Sequence, residues 1–84
     1  PQLRIELERD KLARHGLTPG RVNELLETAL SGKVVTQLLE GQRTYDVVLR
    51  LDEAYRTDPA ELPRLMLDLP DGSRVPLSAV ARVV

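Results

Sequence analysis

Glu6, Glu8 and Asp10 place three carboxylates within a short stretch of chain. Hard oxygen donors of this kind could hold a cation, and burial of one of them could raise its pKa enough for acid–base work. Glu6 and Glu8 are two residues apart and so share one face of an extended strand. Nothing around them suggests burial, so a solvated strand face is the plain reading and a weak cation site the functional one. His15 is the only histidine and there is no cysteine. A soft-metal site would lack a second nitrogen or sulfur ligand, and His15 reads as a solvated residue at a helix end. Met66 reads as filler of a sheet surface. Ser31, Ser73 and Ser78 have no histidine or lysine at a spacing that would activate a nucleophile. The glycines at 16, 20, 32, 41 and 72 are scattered and form no phosphate loop. The expectation is a protein that is not an enzyme and uses no cofactor.

The bulk properties narrow the class. An 84-residue chain is expected to be one domain. At this size it buries only roughly 60% of its unfolded surface, which leaves little room for an internal catalytic cavity. With no Trp, Phe or Cys the core must be aliphatic. A net charge of -1, with acids and bases interspersed, argues against a nucleic-acid footprint and a polybasic membrane patch. No apolar run approaches the ~20 residues of a membrane span. The chain begins with Pro1 rather than Met, and the expectation is a piece of a longer protein.

The elements that must carry these residues are legible from periodicity. Leu3, Ile5 and Leu7 alternate with polar residues, which predicts a strand. Arg9 to His15 is expected to form one or two helical turns closed by Gly16. Thr18-Pro19 opens the strongest helix: Thr18 is a suitable N-cap, and Pro19 suits the first helical position. Val22, Leu25, Leu26, Ala29 and Leu30 then form one apolar stripe, ended by Gly32. Lys33–Glu40 and Arg43–Leu51 read as a β-hairpin about the turn Glu40-Gly41-Gln42-Arg43. Tyr45, Val47, Leu49 and Leu51 alternate cleanly; Val35 and Leu39 fall opposite Val34 and Leu38. Asp58-Pro59 starts a second helix, kept short or tight by Pro63. Leu65, Leu67 and Leu69 form a strand, Pro70-Asp71-Gly72 a turn, and Val75 and Leu77 the return strand. Ser78 is placed to cap a last turn; Val83 and Val84 either add a closing strand or are simply where the piece was cut.

This order, β-α-β-β-α-β-β, predicts an α+β fold: a two-layer sandwich with helices on one face of a mixed β-sheet. The first strand, helix and second strand suggest a right-handed crossover. Val35, Leu39, Val48 and Met66 are expected on the side away from the helices. An apolar open face usually meets something else, so the residues by themselves predict an interaction module.

The chain also resembles the C-terminal half of the funnel-shaped docking domain of resistance-nodulation-division efflux pumps, in particular their heavy-metal cation branch. The resemblance rests on Pro1–Thr18 (PQLRIELERDKLARHGLT), Glu27–Leu51 (ETALSGKVVTQLLEGQRTYDVVLRL), Ala54–Leu65 (AYRTDPAELPRL) and Pro70–Ala81 (PDGSRVPLSAVA). These stretches keep the family's order and spacing. One position departs: Ser31 stands where a second glycine is common, and serine is small enough for the turn to survive.

The resemblance implies that residues 1–84 are one periplasmic docking subdomain of a trimeric inner-membrane pump that exports cations by proton antiport. It implies contacts with neighbouring protomers, an outer-membrane channel and a periplasmic adaptor, and no membrane contact by this segment itself. The family's proton-relay and metal-binding residues lie outside this chain, so no catalytic, cofactor or metal residue carries over. What carries over is the role of the loops. Pro70, Asp71, Gly72 and Ser73 match the hairpin that points toward the channel; Glu40, Gly41, Gln42 and Arg43 are the second docking candidates. The competing reading is a free-standing periplasmic cation- or ligand-binding module built on Glu6, Glu8 and Asp10.

Overall fold

In β1 (Gln2–Glu8) Ile5 and Leu7 are fully buried, while Gln2, Arg4, Glu6 and Glu8 line the other face. The chain turns directly into α1 (Arg9–Arg14), which anchors itself through Leu12. Gly16 stops it at φ 67°, a left-handed conformation that glycine adopts without a Cβ penalty. This computed structural model describes residues 2–31, 33–51 and 58–84. Gly32, read above as a helix stop, lies outside the described residues.

α2 (Pro19–Ala29) begins as its sequence dictates. The Thr18 hydroxyl accepts the Arg21 amide at 3.1 Å, and Pro19 occupies the first turn. Val22 and Leu26 are fully buried, Leu30 is buried and Leu25 half-buried, so most of the stripe faces the core; Ala29 is exposed. The hairpin follows as β2 (Val34–Glu40) and β3 (Thr44–Leu51).

The sheet order is β2-β3-β1-β6, where β6 is Ala81–Val83, and every pairing between neighbours is antiparallel. The crossover from β1 through the helices to β2 is therefore not between adjacent strands. β1 and β2 run in the same direction with β3 between them, the split β-α-β arrangement. The tight turn holds β3 beside β2. Its inner residues Tyr45, Val47 and Leu49 then face Leu7, Ile5 and Leu3 in register. Aliphatic pairing of that quality belongs in the centre of a sheet, which leaves β2, with Thr36 and Glu40 on its inner face, at the edge.

The second predicted helix is reduced to a turn at Asp58, whose carboxylate accepts the Ala60 amide at 2.9 Å, and a 3-10 turn at Leu62–Arg64. The Glu61 side chain makes no cap bond. β4 (Met66–Asp68) and β5 (Arg74–Pro76) form a separate two-stranded sheet, with Leu67 opposite Val75. A second 3-10 turn, Leu77–Ala79, has no side-chain cap from Ser78 and leads into β6. α2, the 3-10 turns and the small hairpin supply Val22, Leu26, Leu62, Leu67 and Leu77 to one aliphatic core with Ile5, Leu7, Val47 and Leu49. The result is the two-layer α+β sandwich. On its open face Val35 is 66% and Leu39 45% exposed. Met66 is exposed too, but on β4, which belongs to the other sheet.

Candidate functional site

The two turns nominated as docking elements are held by different means. At Glu40–Arg43, the Gly41 amide donates to the Thr44 carbonyl at 2.9 Å. A Cβ on Gly41 would meet that carbonyl oxygen at 2.8 Å, so only glycine fits. Arg9, the first residue of α1, reaches across from the neighbouring strand end. Its Nη1 donates to the Tyr45 hydroxyl at 3.0 Å, and its Nη2 donates to the Gly41 carbonyl. Nη2 also pairs with Glu40 at 3.6 Å. The guanidinium lies 4.1 Å from the centre of the Tyr45 ring. Gln42 and Arg43 remain exposed at the tip. Arg9 and Tyr45 are 36 positions apart, and no one-dimensional spacing signals their meeting.

At Pro70–Ser73 the turn is self-contained. Leu69 donates to the Ser73 carbonyl at 2.8 Å and Gly72 to the Leu69 carbonyl at 3.0 Å. Gly72 has φ 90° and open space around it. The Asp71 carboxylate accepts the Ser73 hydroxyl and, at 2.9 Å, the Ser73 amide. Those bonds favour the charged form and hold the Asp71 carboxyl below the usual aspartate value. The ion pair of Asp68 with Arg74, at 2.8 Å, ties the two strands below the turn. Pro70 lies beside Gly16, at the junction of α1 and α2. All four turn residues are exposed. The arrangement presents an exposed tip whose one carboxylate is held by the turn's own hydroxyl and amide.

The carboxylates of β1 are used locally. Glu6 pairs with Arg82 at 3.1 Å and more loosely with Arg4, and Glu8 pairs with Lys11 at 2.7 Å. His15 Nδ1 donates to the Lys11 carbonyl at 3.0 Å. Among the described residues no three His, Cys, Asp or Glu side chains converge as a metal site would require. No helix among them is long and apolar enough to cross a membrane.

The sequence profile described as the AcrB/AcrD/AcrF family matches residues 1–84. The chain belongs to the AcrB/AcrD/AcrF family. It is 42% identical over 89 residues to Protein HelA of Legionella pneumophila, covering 100% of this chain and 8% of that protein. It is 36% identical over 86 residues to the cobalt-zinc-cadmium resistance protein CzcA of Cupriavidus metallidurans, covering 96% and 8%. It is 30% identical over 81 residues to the cation efflux system protein CusA of Escherichia coli, again covering 96% and 8%. The heavy-metal efflux branch of the family is thus the branch the sequence resembles. The chain spans about a twelfth of the length of these relatives. No solved structure gives a significant match.

Proposed function

We propose that residues 1–84 form a docking subdomain on the periplasmic side of an inner-membrane, proton-driven cation efflux pump. In this reading the segment carries no chemistry. It is a rigid α+β scaffold that presents the Pro70–Ser73 turn to the outer-membrane channel, and the Glu40–Arg43 turn to adjoining subdomains of the trimer or to the adaptor. The observation that carries the reading is the family match along the whole 84-residue chain. The geometry is compatible with it: both exposed turns are braced, by Arg9 in one case and by Asp71 in the other. A tip braced before contact loses less conformational freedom on binding.

The test is made in the full-length pump. Charge reversal at two exposed tip residues, Asp71→Lys and Arg43→Glu, is expected to abolish cobalt and zinc resistance while the variant pump is still inserted and assembled at the wild-type level. Full resistance in the double variant would contradict the proposal.

A further inference from the structure

β2 is long and regular for a strand at the edge of a sheet. Val34–Glu40 runs seven residues without proline or bulge, and Glu40 is its only charge. Among the described residues no strand pairs with its outer side. It exposes aliphatic side chains on both faces: Val35 is 66% and Leu39 45% exposed on the open face, and Leu38 is 37% exposed on the other. The opposite edge is different in kind, since β6 has three residues and carries Arg82. Short, charged edges are how sheets resist further pairing, and long aliphatic ones invite it.

The hydrogen-bond parity of the sheet identifies the groups on that edge. Glu8 donates to Val80 and Arg4 accepts from Val84, so the even residues of β1 face away from β3. Alternation along an antiparallel ladder carries this across the registers Ile5–Val47 and Val48–Gln37. The Gly41–Thr44 bond agrees with it. The amides and carbonyls of Val34, Thr36, Leu38 and Glu40 therefore point to the outer edge, while those of Val35, Gln37 and Leu39 are used by β3.

We propose that this edge receives an extended, aliphatic strand from a segment of the longer polypeptide outside residues 1–84. Two observations choose that occupant over a second copy of the chain. The chain spans 8% of the length of its relatives, so most of such a polypeptide lies elsewhere. A single seven-residue strand contact also falls short of the ~1,200 Å2 that a specific interface between separate molecules usually buries. A tethered strand instead meets the edge intramolecularly and needs no such area to stay bound. The inference depends on the proposed function only in requiring a longer chain; it makes no use of either docking turn.

Residue-level hydrogen exchange on the full-length pump tests it. The amides of Val34, Thr36, Leu38 and Glu40 should exchange at least ~100-fold more slowly than those of Gln42 and Arg43, as the amides of a paired strand do. Fast exchange of the four even-numbered amides beside slow exchange of Val35, Gln37 and Leu39 would show a bare edge and overturn the proposal. Gln37→Cys provides the second readout, because Gln37 is the midpoint of β2 and would face itself in a symmetric pairing of two copies. Disulfide-linked dimers of that variant would overturn the assignment to a segment of the same polypeptide; their absence, with the even-numbered amides protected, supports it. Loss of docking in the charge-reversal variants, or its persistence, changes neither outcome.

Discussion

The Arg9 guanidinium lies over the Tyr45 ring, 4.1 Å from its centre, and donates to the Tyr45 hydroxyl at 3.0 Å. With the added bond to the Gly41 carbonyl, one side chain joins the end of β1 to the turn between β2 and β3. Removing it takes away two hydrogen bonds and a cation–π contact at a half-buried site. Arg9→Ala should cost about 1.5–3 kcal/mol in urea unfolding and speed hydrogen exchange at Gly41 to Thr44. Arg9→Lys should fall between, since lysine keeps the charge but cannot reproduce the forked donor.

Ser31 has φ 53°, in the left-handed region, immediately after the α2 C-cap Leu30. An L-residue pays roughly 1–2 kcal/mol there, and glycine returns part of that gain through its larger unfolded-state entropy. Ser31→Gly should therefore stabilise the fold by about 0.5–1 kcal/mol and raise the melting temperature by roughly 2–8 °C. Ser31→Val should lower it.

Leu26 is fully buried on α2 among the aliphatic side chains of the core. Leu26→Ala should destabilise by about 2–5 kcal/mol. Leu26→Asp should abolish cooperative unfolding, because a chain this small has only a few kcal/mol in reserve. Retained cooperativity in the aspartate variant would mean that α2 does not bury this face.

Asp71 gives a pH dependence of known sign. Its folded-state pKa is lowered by the Ser73 hydroxyl and amide, so the contribution is present above the ordinary aspartate value and is lost as pH falls through the lowered one. Ser73→Ala removes the first of those bonds. In a carboxyl-detected titration the Asp71 midpoint should move up in Ser73→Ala, with no change in the fold above neutral pH.

Much of this architecture was legible in the residues. The alternation of Leu3, Ile5 and Leu7, the Thr18-Pro19 helix start and the Pro70-Asp71-Gly72 turn each have a local cause, and each element formed where that cause placed it. The strand order was not legible. Periodicity shows that β1 and β2 are strands but not that β3 lies between them; cross-strand pairing of Leu3, Ile5 and Leu7 with Leu49, Val47 and Tyr45 decides that. Met66 was misplaced for a similar reason, since apolar character does not say which sheet a strand joins. The role of Arg9 was invisible because its partners are brought to it only by the folded sheet.

In the proposed function the Pro70–Ser73 turn is a contact point of the assembled pump. The most direct measurement is in-cell photo-crosslinking from position 71 of the full-length protein, with the exposed Glu24 of α2 as the control position. An adduct with the outer-membrane channel from position 71 and none from position 24 is the predicted result. Wild-type export with no channel adduct from position 71, or equal adducts from both positions, would contradict the account.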